Sequence, residues 1–479
     1  MIKTLCVFLY TPFIAAFLLG ICSFLKNQIY IRRIAKTVFS LEFLLAVVLL
    51  FSKNIEFSFV GINLNLDKYS LFLIFLLSFA FLLFSIISKT FINSLYRVFH
   101  SVNILLFGLI SVFVLSDNIF INLILLFWMF LLFYFLSTLF SKSQNRKNVV
   151  IQLLSDMFWF LVAIFLILKD FARYFVINDI DFSFSLLADN LYKIDDISIA
   201  FAFVGFLILI GRLLNFIPFC AKNLFNSKHI NPLVYSLQYF ASLIAGSFLF
   251  AKTFANLNFL FYQMQDEIAI FLIFNFVIFI ILTFAQNNMF KFLHNLFTAN
   301  IIIGLFSIFS FEEECFRTFA YFTFILAISY IFAAFILMIL KQKFKADNFD
   351  ELKRINDKTR ILQFFTTVSL LNIASVPLLA FFGAELICLM MIFSTDYDGI
   401  VLNIVPSILI IGAFILALAV YGAIYKILIE PSEKAHIQTT LSNHQIFVFV
   451  ILTFALVILS FCPDYIFGQI GTVVQIERF

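Results

Sequence analysis

Few ionisable side chains lie inside the long apolar runs of this sequence, and they are the residues that could do chemistry within a membrane. Four are charged: Glu42, Asp156, Arg212 and Glu385. A charge at bilayer depth is costly, so such groups usually pair with a neighbour or line a path for ions or protons. We expect Glu42 to make an interhelical contact, and Arg212 and Glu385 to lie on a transport path.

Neutral polar residues and prolines accompany these charges. Gln238 lies in an apolar run, and Pro218, Pro232 and Pro377 lie in or beside such runs. A proline inside a span removes a backbone hydrogen bond, which is tolerated where the backbone is buried in protein or faces water. Residues 207–252 therefore predict a helix interrupted at Pro218 and a second helix that opens at Pro232. Pro377 predicts a further break before Glu385.

The composition predicts the elements that must position these side chains. Hydrophobic residues make up 63% of the chain and charged residues 12%, whereas soluble domains carry about 25% charged residues. We therefore predict an all-α polytopic membrane protein. Apolar runs long enough to cross a bilayer give about fourteen spans. The predicted spans are 3–25, 32–52, 69–88, 98–116, 118–140, 148–168, 198–217, 230–251, 266–286, 289–311, 318–340, 361–382, 400–428 and 445–462.

Charge distribution predicts orientation and excludes some functions. Lysines and arginines gather in the connections after odd-numbered spans, and acids in those after even-numbered spans. The positive-inside rule then places both termini on the external side. Basic residues form no nucleic-acid patch, and the six cysteines have no metal-ligand spacing. We expect no nucleic-acid partner, no bound metal and no cofactor.

Several stretches occur in an order and spacing that resemble a known family. They are Pro218 with Pro232, and residues 236–246, 147–164, 285–291 and 373–385. Together they resemble the antiporter-like membrane subunits of respiratory complex I, which are the L, M and N subunits of bacterial NADH-quinone oxidoreductase. Membrane-bound hydrogenases and Mrp-type antiporters contain related subunits. The resemblance implies fourteen spans, interrupted helices 7 and 12, and two inverted five-helix repeats.

The resemblance also implies an organisation of the chain as a single membrane domain, 1–479. The expected parts are N-terminal helices 1–116, a first half-channel repeat 117–252, a second half-channel repeat 266–428, and a C-terminal helix and tail 445–479.

The family's proton relay is degenerate in this sequence. The relay uses a glutamate in span 5, a lysine in span 7, and histidines or lysines in spans 8, 11 and 12. Here span 5 has no acid, Leu213 stands at the lysine position beside Arg212, and Gln238 stands at the histidine position. An arginine stays protonated and cannot act as a proton donor. By this resemblance the proton-path candidates are Arg212, Gln238, Glu385, Asp156 and Lys291.

The expected function is that of a non-redox membrane subunit, with no active site of its own, in a complex I-like oxidoreductase. That complex would pass electrons from NADH or another donor to quinone, and this subunit would contribute to proton translocation or to the structural framework. We expect other membrane subunits and the lipid bilayer as partners, in the bacterial inner membrane. A hydrogenase or Mrp-type subunit, a stand-alone secondary transporter or flippase, and a purely structural assembly subunit remain open alternatives, as does the L, M or N type.

Overall fold

The computed structural model describes residues 2–21, 27–52, 55–59, 62–92, 94–141, 146–178, 184, 196–216, 231–310, 313–352, 360–394, 400–429 and 441–461. The helices of the first half are α1 (Ile2–Ile21), α2 (Gln28–Leu50), α3 (Lys68–Phe91), α4 (Tyr96–Leu115), α5 (Ile119–Leu139), α6 (Arg146–Asn178), α7 (Asp196–Leu213) and α8 (Pro232–Asn256). Those of the second half are α9 (Asn258–Gln263), α10 (Gln265–Ala285), α11 (Met289–Phe306), α12 (Glu313–Phe344), α13 (Arg360–Ile373), α14 (Ala380–Ser394), α15 (Ile400–Ile424) and α16 (Asn443–Phe461). Two short 3₁₀ turns, Ser307–Ser310 and Phe349–Glu351, and a π-helical turn, Tyr425–Ile429, extend this set.

The helices confirm an all-α polytopic membrane protein. Eleven helices of the described residues are long and apolar enough to cross a bilayer. Every predicted span overlaps a helix, and the twelfth overlaps both α13 and α14. Three windows fall on helices outside those eleven, because α2 carries four charged residues and α7, α13 and α14 are short or broken. The count of fourteen crossings therefore stays a prediction.

A small β-hairpin interrupts the helical pattern between α2 and α3. Strand β1 (Ile55–Phe59) pairs antiparallel with β2 (Ile62–Leu66), from Ile55 opposite Leu66 to Phe59 opposite Ile62. Apolar residues alternate along both strands, which is the period of a strand with one covered face. Leu64 also bridges to Ser116, so the hairpin is attached to the end of α4.

Side-chain caps fix where several helices begin. An Asn or Asp oxygen accepts a hydrogen bond from a first-turn backbone N–H at Asn27, Asp67, Asn118, Asn231 and Asn288. Such caps satisfy N–H groups that have no partner within the helix. At α8 the cap precedes Pro232, which needs no donor in the first turn. The predicted opening of the eighth span at Pro232 is confirmed.

The chain divides into two compact units. Unit 1 comprises residues 1–214 and 229–261, and unit 2 comprises residues 215–228 and 262–479. In unit 1, α8 is buried along its length, whereas α6 exposes large apolar side chains at helical spacing, such as Leu154, Phe158 and Phe165. In unit 2, α11 and α12 are the buried helices. The exposed apolar ridges suit contact with lipid.

Within the described residues, one helix ends shortly before Pro218 and the twelfth predicted span is broken around Pro377. α7 stops at Leu213, and Asn215 follows in the left-handed conformation with φ of 59°, a usual way to end a helix. Pro218 lies outside the described residues. The twelfth span is broken between Ile373 and Ala380, and Pro377 lies within that break.

The charged stretch after α12 folds back onto the start of α11. Lys341 pairs with Asp347 at 2.7 Å. Met289 N donates to Asp347 O, and Phe349 N donates to Asn287 O. These contacts lie in the part of the charged stretch that the structure describes, up to residue 352.

Candidate functional site

The first candidate site is a buried ion pair between α6 and α7. Arg212 Nη2 contacts Asp156 Oδ1, and both side chains are less than 10% exposed. The Tyr134 hydroxyl on α5 donates to the other carboxylate oxygen, Asp156 Oδ2. Three helices of unit 1 therefore meet on one carboxylate, and each carboxylate oxygen has a partner.

Helix register explains why these side chains meet. Gly205 lies two turns before Arg212 on α7, and Ala163 lies two turns after Asp156 on the antiparallel α6. A Cβ on Gly205 would lie 2.8 Å from Ala163 O, so the two backbones approach closely at that level. Because 3.6 residues make a turn, the same register two turns along brings Arg212 to Asp156. A ring contact between Phe130 and Phe160, with centroids 5.8 Å apart, sets the matching α5–α6 register for Tyr134.

Gln238 ties α8 to the same part of α5. Its amide nitrogen donates to Phe133 O and, at 2.7 Å, to Ser137 Oγ. Both amide hydrogens are therefore used in holding two helices together. The Gln238 side chain therefore links α8 to α5.

Arg212 and Asp156 form an ion pair with no net charge. Arginine keeps its proton at any accessible pH, and the Asp156 carboxylate is held by a cation and a hydroxyl. A relay needs a group that gains and loses a proton as its neighbours change. Arg212 and Asp156 come together as an ion pair, and Gln238 links the neighbouring helix α5 to α8.

We predict that Gly205→Ala weakens this junction. The added methyl group would meet a backbone oxygen that cannot rotate away, so α6 and α7 must separate, at a cost of about 1–3 kcal/mol. The midpoint of unfolding of the purified chain in mild detergent measures this loss. The control is Gly422→Ala on α15, where a Cβ meets nothing within 4 Å and helix propensity favours alanine by about 0.5–1 kcal/mol. An equal response of the two variants would contradict the role of Gly205.

The second candidate site is Glu385 on α14, in unit 2. It is buried at 7% exposure, and the Ser375 hydroxyl donates to its Oε2 atom. Cys388 lies one turn further along α14 and is also buried. Among the described residues no cation pairs with Glu385, which distinguishes it from Asp156. The described residues also contain no cluster of His, Cys, Asp and Glu that could hold a metal ion.

The break before Glu385 is held by a buried asparagine. Asn372 Nδ2 donates to Ser329 Oγ on α12 at 2.7 Å, and Asn372 Oδ1 accepts from Phe381 N across the break. Ser375 and Leu378 have φ of 52° and 77°, conformations that are strained for residues with side chains. Ser375, whose hydroxyl donates to Glu385, lies within this strained break. Broken helices inside membranes often mark functional sites.

Lys291 is separate from these contacts. It lies in the first turn of α11, where its backbone N–H donates to the Asn288 cap at 3.2 Å. Its side chain is half-buried, and the described residues provide it with no ion pair or hydrogen bond. The neighbouring Asn287 instead contacts Asp350 and Lys426.

A buried charge cluster in unit 1 was missed by the sequence analysis. Lys252, near the end of α8, contacts Asp67 at 2.8 Å and Asp117 at 3.9 Å. Lys252 lies one residue beyond the predicted window 230–251, and both aspartates lie in connections. The signal was a lysine in the last turns of an apolar helix, which requires a partner when the helix is buried on all sides.

Comparisons with known proteins match the fold. Neither a scan of protein-family models nor a search of curated proteins finds a match. A chain of respiratory complex I from Thermus thermophilus with bound NADH matches with a TM-score of 0.82 and 13% identity, over 97% of this chain and 97% of that chain. A chain of the same complex with bound aureothin matches at 0.76 and 12% identity, over 97% and 99%. A chain of the membrane-bound sulfane sulfur reductase, an archaeal respiratory membrane complex, matches at 0.75 and 12% identity, over 97% and 96%.

TM-scores of 0.75 to 0.82 over 97% of this chain show a shared fold, at sequence identities of 12% and 13%. The match runs over nearly the whole chain, which agrees with the stretches that carried the resemblance in the sequence. This multi-pass membrane protein therefore has the fold of membrane chains of respiratory complex I and of an archaeal respiratory complex.

Proposed function

We propose that this chain is an antiporter-like membrane subunit of a complex I-like respiratory assembly that reduces quinone with NADH or another donor. In our proposal the first half-channel repeat, 117–252, is closed to proton relay, and the second, 266–428, retains one protonatable station at Glu385. The contrast between Asp156 and Glu385 carries this proposal. Asp156 is neutralised by Arg212, whereas Glu385 has a hydroxyl partner and no cation among the described residues.

A carboxyl group in such surroundings can exchange a proton. Without a fixed cation, the ionised form gains little compensation for leaving water, so protonation and deprotonation respond to changes nearby. In the proposed assembly, a charge that moves in a neighbouring subunit would trigger uptake or release at Glu385. This chain would hold no cofactor, and electron transfer would take place in its partners.

The position in the cell follows from the same proposal. The partners are other membrane subunits, and the chain lies in the bacterial inner membrane. The distribution of lysine and arginine supports cytoplasmic connections after odd-numbered spans, with both termini external.

A second candidate is a subunit of an archaeal-type respiratory complex, a membrane-bound hydrogenase or an Mrp-type antiporter. The match to the sulfane sulfur reductase chain over 97% of this chain favours keeping it. Both candidates have this fold, so the identity of the partner subunits is what distinguishes them.

The test is to purify the tagged chain in mild detergent and identify what co-purifies by mass spectrometry. Quinone-reducing subunits are expected. Co-purification of hydrogenase or sulfur-reducing subunits would support the second candidate. A stable monomer without partners would contradict both candidates and favour a stand-alone transporter. The same tag on an unrelated polytopic protein from the same cells gives the background.

A further inference from the structure

A cluster of positive charges lies at one end of the N-terminal helices of unit 1, outside both candidate sites. It comprises residues at the start of α2, the end of α3 and the start of α4: Arg32, Arg33, Lys36, Lys89 and Arg97. These three helices contain one acid, Glu42, which lies further along α2 and is fully buried. Neither oxygen of Glu42 has a hydrogen-bond partner among the described residues. The cluster is therefore not neutralised by an acid on its own helices.

Arg32 holds the three helices together at this end. Its Nη2 atom donates to Ile92 O, just after α3, at 3.0 Å. Its guanidinium lies 4.2 Å from the centroid of the Tyr96 ring on α4. Both partners are uncharged, so the positive charge of Arg32 persists within the cluster.

Ring contacts show that α2 and α3 run antiparallel in a fixed register. The rings of Phe39 on α2 and Phe81 on α3 have centroids 5.8 Å apart. One turn further along α2, the ring of Phe43 contacts that of Phe79, which precedes Phe81 on α3, with centroids 5.9 Å apart. In the opposite direction the same register brings the start of α2 to the end of α3.

Two lysines meet where the start of α2 lies against the end of α3. Lys36 lies one turn before Phe39, and Lys89 lies in the last turn of α3. A helical side chain leans towards the N-terminus of its helix, so Lys36 extends towards Lys89. Lys36 is close enough to both Lys89 and Arg32 for their charges to repel its own. Among the described residues no carboxylate pairs with any of these three cations, so an anion beside them would relieve the repulsion.

An apolar stripe on α3 leads from Lys89 towards the middle of the bilayer. Lys89 is exposed and Lys36 is half-buried. Behind Lys89, at helical spacing, come the half-buried side chains that form the stripe: Ile86, Leu82 and Phe79. From Lys89 to Phe79 the helix rises about 15 Å, which is half of a hydrocarbon core about 30 Å thick. The stripe therefore has the length of one leaflet.

A phospholipid has the same two parts, a phosphate group at the membrane surface and acyl chains in the apolar core. Basic pockets between the ends of membrane helices bind anionic lipid head groups. We propose that this surface of α2 and α3 binds an anionic phospholipid, with its phosphate at Lys36 and Lys89 and an acyl chain along the apolar stripe. A zwitterionic head group fits less well, because its own cation would meet a cluster that already lacks an acid partner. The site is independent of the proposed function, since it needs neither a half-channel nor a partner subunit.

Lipid binding is tested by native mass spectrometry of the full chain purified in mild detergent. Phosphatidylglycerol and phosphatidylcholine with identical acyl chains are titrated separately, and the wild type should bind the first phosphatidylglycerol more tightly. Each basic residue near a membrane surface contributes about fivefold, so Lys36→Gln/Lys89→Gln should bind phosphatidylglycerol about 25-fold more weakly. Its affinity for phosphatidylcholine should not change. Equal affinities of the wild type for the two lipids, or an unchanged phosphatidylglycerol affinity in the double variant, would overturn the proposal.

A matched control removes two positive charges elsewhere on the chain. Arg146 and Lys147 lie in the first turn of α6 and are exposed. Arg146→Gln/Lys147→Gln therefore makes the same change in net charge as the double variant, and its affinity for phosphatidylglycerol should equal that of the wild type. A loss as large as in Lys36→Gln/Lys89→Gln would show that binding follows net charge, and would overturn the assignment of the site.

Unfolding midpoints separate a lipid site from a structural role of the lysines. Without lipid, Lys36→Gln/Lys89→Gln should be at least as stable as the wild type, because like charges no longer repel each other. Phosphatidylglycerol should raise the midpoint of the wild type more than that of the variant, and sodium phosphate, which lacks acyl chains, should raise neither. A variant that is less stable without lipid would show that the lysines hold the helices together. Full protection by sodium phosphate would assign the site to a free anion, and either result would overturn the proposal.

Discussion

Replacing Arg212 by methionine is expected to destabilise the folded chain by about 3–5 kcal/mol. The substitution leaves the Asp156 carboxylate buried without its cation, and breaking a buried pair by removing one partner has a cost of this size. Asp156→Asn alone should also destabilise the folded chain, because it removes the carboxylate that the Arg212 guanidinium contacts. The midpoint of chemical or thermal unfolding in mild detergent measures both.

The double variant Asp156→Asn/Arg212→Met should recover most of the loss. Both members of the charged pair are then replaced by neutral side chains, and the asparagine oxygen can still accept a hydrogen bond from the Tyr134 hydroxyl. A control pair is Lys426 with Asp350, whose side chains are 40% and 49% exposed; breaking it should cost about 0–1 kcal/mol. If the double variant loses as much as the two single variants together, the two residues are not coupled.

Glu385→Gln is expected to lower proton pumping by the whole complex while redox turnover is retained. Glutamine keeps the shape and can still accept the Ser375 hydrogen bond, but it cannot exchange a proton. A positioned proton-transfer group contributes about 10²–10⁴-fold, so transfer through unit 2 should fall by that factor. Protons pumped per electron in proteoliposomes would then decrease by the share that this subunit carries.

Two further variants sharpen that experiment. Ser375→Ala removes the hydroxyl but leaves the carboxyl group, so we expect a smaller loss of pumping than in Glu385→Gln. Glu267→Gln changes an exposed acid and should leave pumping unaltered. Unchanged pumping in Glu385→Gln would mean that unit 2 has lost its path as well.

The helices were predictable because a bilayer imposes their length and composition. Every predicted window overlaps a helix, and the prolines at 232 and 377 mark a helix start and a helix break. The hairpin at 55–66 was not predicted, since its alternating residues lie in a short connection between long apolar runs. The extension of α6 to Asn178 was also missed, because its last turns are less apolar than a span.

The candidate sites were predictable only as a set of residue types. A charge inside an apolar run stands out, which singled out Asp156, Arg212 and Glu385. Their pairing did not follow, because it depends on the register of helices that are far apart in the chain. Lys252 and its aspartates were missed for the same reason, since a window of hydropathy carries no information about contacts between connections and helix ends.

The sequence by itself determined that the chain is a polytopic membrane protein and that few ionisable groups lie at bilayer depth. Composition decides these points, because lipid excludes charge and requires long apolar helices. The tertiary structure decided which charges are neutralised. The close approach at Gly205 brings Arg212 onto Asp156, whereas the strained break at Ser375 gives Glu385 a hydroxyl and no cation among the described residues. The side chain that contacts each buried carboxylate depends on helix register and packing, which no local pattern of residues specifies.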